Sequence, residues 1–360
     1  MDYNHEELVE RLQENTFLKK EGRVELVTKS IPFLEEKEGL DPRVKRFLEQ
    51  EHDPELRRPM THDDLEVIRN RKEQDNYDLS SSIRTETMLV SLENRDLELK
   101  IYNRTESTKP VLIYFHGGGF FERDELVMDN VCKLLAEKTE AVVVAVEYRL
   151  APEHKYAEGL KDCFDSVQYV YENHREFGAD RNRIGLVGDS VGGNLALGVY
   201  HLSREMSWNI CYMSLLCPLL DLSEVSGGSR KMEQYSPGVD RELVRQELVT
   251  MRESLSFIQS LYVTDLEELD QPLVSPLRSE QSFNYPPITI VTAEFDFLRP
   301  QGEEFTKKLQ EQESPVRYIE YKGMAHTFLK KLGYYPQAAD AVQETAAHFR
   351  YVLQNNTQSN

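Results

Sequence analysis

Seven consecutive residues, Gly188-Asp189-Ser190-Val191-Gly192-Gly193-Asn194, set a hydroxyl between glycines. Gly188, Ser190 and Gly192 form a G-x-S-x-G pattern, which suits a sharp turn from strand to helix that exposes the serine hydroxyl. Small residues are needed there because neighbouring backbone crowds the turn. A serine so placed sits at the positive end of a helix, and it attacks an acyl carbon once a base takes its proton. The pattern also arises by chance, so its context carries the inference. An apolar run over 183–187 precedes it, and an apolar helical pattern opens at Val191.

A second segment, His116-Gly117-Gly118-Gly119-Phe120, follows the apolar run 111–115. Acyl transfer passes through a tetrahedral oxyanion that needs N–H donors aimed at it, and a glycine run leaves its N–H groups unobstructed. We expect donors from Gly117 and Gly118, and a third from the backbone N–H of Val191. Losing one such donor costs roughly 10²- to 10³-fold in rate.

The serine also needs a base, and a G-x-S-x-G elbow is followed in chain order by an acid and then a histidine. After the run 288–292 comes Ala293-Glu294-Phe295-Asp296-Phe297-Leu298-Arg299, and after 316–321 comes Gly323-Met324-Ala325-His326-Thr327-Phe328. Asp296 and His326 thus fall just past the ends of late strands, as Ser190 does, and loops at one sheet edge can meet. His326 is expected to take the proton from Ser190, and Asp296 to fix its tautomer. Glu294 is the rival acid. It lies nearer the strand end and is expected to brace the loop. His116 and His154 precede the serine and are expected to be structural hydrogen-bonders. His201 and His348 are read as solvated.

The elements that must position these groups follow from periodicity. Strand-like runs cover 86–92, 97–102, 111–115, 141–147, 183–187, 210–216, 288–292 and 316–321, several of them continuously apolar as in a sheet buried on both faces. Helical patterns at 125–138, 158–175, 191–204, 302–311 and 336–353 separate the later ones. Alternation of this kind predicts an α/β fold, a mostly parallel eight-stranded sheet with helices on both faces, over residues 83–355. Residues 1–82 are charged and helical in pattern, with amphipathic pieces at 7–18 and 41–48 and breaks at Pro32, Pro42, Pro54 and Pro59, and are expected to form a strand-free helical appendage. The stretch 221–286 is a polar insertion with Gly227-Gly228 and a helical pattern at 240–261, expected to act as a lid.

Taken together, these segments resemble the hormone-sensitive-lipase-like family of α/β hydrolases. The resemblance rests on 116–120, Tyr148-Arg149-Leu150-Ala151-Pro152-Glu153-His154, 188–196, 293–299 with Gly302, and His326-Thr327-Phe328, in the family's order over roughly residues 85 to 350. It implies the α/β-hydrolase fold, a helical cap formed by the N-terminal segment 1–82 with part of the 221–286 insertion, a carboxylesterase acting on short-chain acyl esters, the triad and donors above, and no cofactor. It also implies that 148–154, with Asp162, form a structural scaffold near the site. Val191 stands where the family usually has alanine, Phe297 where it has proline, Pro300 where it has an acid, and Ala157 where it has proline. None of these removes a catalytic group. The same machinery serves amides, lactones or acetylated sugars, and a silent ligand receptor can share the scaffold.

Composition narrows the partners. The chain has 360 residues, 39% hydrophobic and 29% charged, the balance of a soluble globular protein with a large core. With 43 basic against 63 acidic residues the net charge is -20, which sets aside nucleic acid and anionic membranes. Cys132, Cys163, Cys211 and Cys217 form no CxxC pair and read as core thiols of a reducing compartment. The polar start carries no signal peptide and no run is long enough to span a membrane, so the expectation is cytoplasmic. No dinucleotide fingerprint, Walker lysine or metal-ligand cluster is evident. The expected partner is a small ester, with no cofactor or metal, and the sequence leaves a homodimer open.

Overall fold

A run such as Val142-Val143-Val144-Ala145-Val146 presents apolar side chains on both faces of a strand, so helices must cover both. The computed structural model describes residues 4–33, 38–51, 60–71, 73, 75–223, 234–326 and 328–357, and places these runs at the centre of one ten-stranded sheet. Pro54, Pro59, Gly227-Gly228 and Thr327 lie outside the described residues. The strands are β1 (Thr16–Glu21), β2 (Val24–Lys29), β3 (Thr85–Leu92), β4 (Arg95–Tyr102), β5 (Lys109–Phe115), β6 (Val142–Glu147), β7 (Ala179–Asp189), β8 (Ile210–Leu216), β9 (Ile288–Ala293) and β10 (Val316–Tyr321). Their spatial order is β1-β2-β10-β9-β8-β7-β5-β6-β4-β3. Every neighbouring pair from β2 to β6 is parallel. The outer pairs, β1 with β2, β6 with β4 and β4 with β3, are antiparallel.

The helices are α1 (His5–Glu14), α2 (Pro42–Glu51), α3 (Leu65–Asn70), α4 (Glu125–Thr139), α5 (Glu158–Glu172), α6 (Val191–Leu202), α7 (Arg241–Tyr262), α8 (Arg299–Glu311) and α9 (Pro336–Thr357). α4 packs with α9, and α5 with α6. Among the described residues, no helix is long and apolar enough to cross a membrane.

All eight expected strands are present, and two more are added. The extra pair, β1 and β2, corrects the reading of residues 1–82 as wholly helical. The helix expected over 7–18 stops at Glu14, and a hairpin follows with Gly22 at φ +61 in its turn. Gly22 supplies the positive φ that a two-residue hairpin turn requires. The hairpin is hard to read because it is charged. Lys29, the last residue of β2, is 1% exposed and lies 3.0 Å from Asp340 and 2.6 Å from Glu344 on α9. Arg317 on β10 spans Glu25 and Glu344 at 2.7 and 2.9 Å. Cross-strand and helix-borne charges thus replace the apolar alternation that would have announced a strand. β1 is the outer edge, mostly exposed, and carries Lys19 and Lys20, which discourage pairing with another chain.

The insertion supplies α7, where a helix was expected. Its Tyr262 ring stacks on Phe120 at 3.7 Å, and its Phe257 meets Phe121 edge-on at 5.6 Å. At its N-terminal end Asp240 accepts the Leu40 N–H at 3.0 Å and pairs with Lys45 at 2.7 Å.

Candidate active site

The turn between β7 and α6 holds Ser190 at φ 52°, ψ -117°, a backbone region that costs a non-glycine residue strain. The Ser190 N–H donates to the Leu216 carbonyl at 2.8 Å, and the Leu219 N–H donates to the Ser190 carbonyl at 3.0 Å. A Cβ on Gly192 would lie 1.9 Å from the Phe115 carbonyl oxygen, and one on Gly188 would lie 2.2 Å from the Gly192 oxygen. The two glycines of the pattern are therefore required by close backbone approach.

Ser190 Oγ lies 3.1 Å from His326 Nε2, and His326 Nδ1 lies 2.7 Å from Asp296 Oδ2. Asp296 is buried, its other oxygen accepts the Leu298 N–H at 2.8 Å, and its main-chain carbonyl accepts the Tyr235 hydroxyl at 3.1 Å. Burial works against charge on His326, yet the adjacent Asp296 carboxylate outweighs it and holds the imidazole pKa above its ordinary value. Glu294 points elsewhere. It accepts the Gly323 N–H at 2.8 Å and pairs with Lys322, so it braces the loop that carries His326. Burial raises its pKa against the pull of that lysine.

The glycine loop departs from expectation. The Gly117 N–H donates to Asp189 Oδ1 at 2.8 Å, so it is committed inside the protein and cannot serve an oxyanion. Asp189 also accepts the Tyr114 hydroxyl at 2.6 Å; burial raises its pKa. The Gly118, Gly119 and Val191 N–H groups have no acceptor among the described residues. Gly117 thus anchors the loop, and its N–H is taken where the sequence reading expected a donor, while that of Gly119 is unpaired among the described residues. Beneath the loop, His116 stacks on Tyr148 at 4.2 Å, and the Tyr148 hydroxyl donates to the His116 carbonyl at 2.7 Å. Burial pushes the His116 pKa down to about 4, which suits a structural group. Asp162 accepts from the Arg149 backbone and side chain at 2.9 and 2.8 Å, fixing the 148–154 segment. His201 and His348 are half-buried and bonded to Tyr285 and Thr289, not solvated as expected.

A cleft opens over Ser190 and His326, lined by Gly118, Met128, Leu216, Phe328 and Lys330 among others. Cys217 also lines it. With Asp296 and His326 it makes a group whose ligand atoms all lie within 4.8 Å of one another. Two of those donors already hold each other at 2.7 Å, and burial raises the thiol pKa well above its ordinary value. The cluster therefore reads as an acid–base pair beside a protonated thiol, not as a metal centre.

The profile of the alpha/beta hydrolase fold family matches residues 112–330. This chain belongs to that family. It is 30% identical over 246 residues to an arylesterase of Saccharolobus solfataricus, covering 68% of this chain and 77% of that one. The carboxylesterase NlhH of Mycobacterium tuberculosis is 29% identical over 296 residues, 81% of this chain and 90% of its own. An acetyl esterase of Salmonella typhi is 27% identical over 271 residues, 74% of this chain and 80% of its own. Among solved structures, the hyperthermophilic esterase of the archaeon Pyrobaculum calidifontis superposes with a TM-score of 0.74 at 27% identity, over 87% of this chain and 98% of that one. These relatives agree with the hormone-sensitive-lipase-like resemblance seen in the motifs.

Sequence reasoning missed that the Gly119 N–H is left unpaired and that Asp189 anchors the loop. It also missed the thiol of Cys217 beside the acid. Asp189 lies inside the G-x-S-x-G motif, and a carboxylate next to a nucleophile was the available signal. Nothing local marked Cys217, whose placement depends on β8 ending beside β9.

Proposed function

We propose that this chain is a serine carboxylesterase that works through an acyl-enzyme. The observation that carries the reading is the pair of hydrogen bonds linking Ser190 Oγ to His326 at 3.1 Å and His326 to Asp296 at 2.7 Å. Ser190 attacks the ester carbonyl while His326 Nε2 takes its proton. Asp296 keeps Nδ1 protonated and stabilises the imidazolium. The Gly118, Gly119 and Val191 N–H groups receive the oxyanion, and His326 returns the proton to the departing alcohol. Water then repeats the cycle on the acyl-enzyme.

Preference for short acyl chains is supported by the likeness to an acetyl esterase. A cap role for α7 and the N-terminal segment is supported by the stack of Tyr262 on Phe120 and by the edge-on contacts of Phe257 with Phe121 and with His62. A net charge of -20 supports a small-molecule partner over nucleic acid. Four free thiols support a reducing, cytoplasmic setting. Hydrolysis of p-nitrophenyl esters from acetate to palmitate, by wild type and Ser190→Ala in parallel, tests the reading. Serine-dependent turnover that peaks at short chains is expected. Turnover of amides or acetylated sugars in place of every simple ester would reassign the bond, and turnover by Ser190→Ala would overturn the mechanism.

A further inference from the structure

The Gly119 N–H belongs to the same peptide unit as the Gly118 carbonyl, and in a trans peptide the two point in opposite directions. Whatever fixes the Gly118 carbonyl therefore aims the Gly119 N–H. That carbonyl accepts two bonds, from the Phe121 N–H at 3.0 Å and the Glu122 N–H at 2.9 Å. The Glu122 N–H in turn shares its peptide with the Phe121 carbonyl. The Phe121 carbonyl is held by Arg69 Nε at 2.7 Å.

Arg69 does more than touch one carbonyl. Its Nη2 donates to the Ala151 carbonyl at 2.7 Å, and its fork meets Glu153 at 2.8 and 2.7 Å. The Ala151 N–H donates to the Phe120 carbonyl at 2.8 Å, so the guanidinium closes a ring with the glycine loop and the 148–154 segment. Arg69 holds the Glu153 carboxyl down to about 2. Only a planar fork with several fixed donors reaches two carbonyls and a carboxylate together; a lysine ammonium is a point charge on a flexible stem. Gly118 and Gly119 sit at φ +107° and +60°, so they contribute little stiffness of their own.

We propose that Arg69 is a positioning residue of the oxyanion hole, directing the Gly119 N–H through two linked peptide units. The inference rests on the esterase reading above. It gives α3, in the N-terminal segment, a part in the chemical step besides its proposed place in the cap.

The test uses the full-length chain carrying Arg69→Ala or Arg69→Lys. Live sites are counted by titration with a p-nitrophenyl phosphonate, which removes any unfolded fraction from the comparison. For Arg69→Ala, kcat per live site should fall about tenfold or more, a misaimed donor costing part of the 10²–10³ of a lost one. KM should stay within about threefold, because the oxyanion contact forms in the transition state. Affinity for a trifluoromethyl ketone, whose adduct carries the same oxyanion, should fall in step with kcat/KM. Guanidinium at sub-denaturing concentration should restore part of the kcat of Arg69→Ala and none in wild type, and Arg69→Lys should be intermediate. Unchanged kcat per live site would overturn the inference, as would a raised KM with unchanged kcat and ketone affinity. If Arg69→Ala does not fold, Glu153→Gln loosens the fork from an exposed position, and a fall of about twofold or more is expected, the worth of a weakened charge-assisted bond. No change there would overturn the inference equally. Ser190→Ala separates the two claims: turnover without the serine breaks the esterase reading, whereas a dead Ser190→Ala beside indifferent Arg69 variants breaks only this one.

Discussion

Two buried acid–base pairs flank β10, and only one belongs to the cleft. Before the strand's edge neighbour turns away, Lys29 lies between Asp340 and Glu344 at 3.0 and 2.6 Å, with the Tyr321 hydroxyl on Asp340 at 2.7 Å. Past the same C-terminal end of β10, in the loop that follows Tyr321, His326 meets Asp296 at 2.7 Å. Both are tight and largely buried, so closeness does not separate them. What separates them is the atom left over. The ammonium of Lys29 holds two carboxylates and has no lone pair to offer. The imidazole of His326 binds its acid through one nitrogen and presents the other to Ser190. A buried ion pair is weak evidence of function, and a buried pair with one free basic atom facing a nucleophile is strong evidence.

Substitutions at the two pairs should therefore fail in opposite ways. Ser190→Ala carries the largest expected effect, a kcat loss of roughly 10⁵-fold or more with an unchanged melting curve. Asp296→Asn should follow, with a loss of roughly 10⁴-fold from the wrong imidazole tautomer. Steady-state kinetics on p-nitrophenyl acetate measures both. Lys29→Met reverses the pattern. It leaves two buried carboxylates without their shared cation and should cost about 3 kcal/mol of stability, read as a lower urea midpoint. Its kcat per titrated site should match wild type. A kinetic defect there would mean that the edge hairpin reaches the cleft, and the contrast would collapse.

The acid limb of the pH profile sharpens the same contrast. His326 acts as a base only when neutral, and the Asp296 charge holds its pKa above the ordinary 6.5. Activity should therefore be low in acid and climb as His326 loses its proton, with a midpoint above 6.5 and about a tenfold change per pH unit below it. Asp296→Asn removes the raising charge and should move the limb to lower pH. A limb that stays in place in that variant would assign it to another group.

The grouping of Ser190, Asp296 and His326 was legible in the sequence. Ser190, Asp296 and His326 each follow an apolar run, and a strand end is a place that periodicity can find. The eight strands β3 to β10 were legible from their periodicity. The hairpin at 16–29 was not, because Lys29 is met by Asp340 and Glu344 of α9 and Glu25 by Arg317 of β10, partners that no local apolar alternation announces. The oxyanion donors were legible only as a glycine run. Which glycine N–H stays free depends on Asp189 taking that of Gly117, a contact between β7 and the loop after β5 that spacing does not encode. Arg69 is more distant still, since its partners lie on two loops of the catalytic core.

Glu294→Gln is the smallest effect and the most discriminating one. The sequence offers two acids, Glu294 and Asp296, in one short loop, and either could serve a histidine. In the structure they divide the work, with Asp296 on the imidazole and Glu294 on the Gly323 N–H and Lys322. A glutamine keeps an acceptor for Gly323 and loses the ion pair, which is a change of about 1 kcal/mol in loop bracing. The expected kcat loss is therefore under about tenfold, with the acid limb unmoved, since the charge that raises the His326 pKa is that of Asp296. A loss near that of Asp296→Asn, with a shifted limb, would make Glu294 the working acid. The loop would then have to rearrange in turnover to bring it there, because Glu294 is now anchored to the turn that precedes His326.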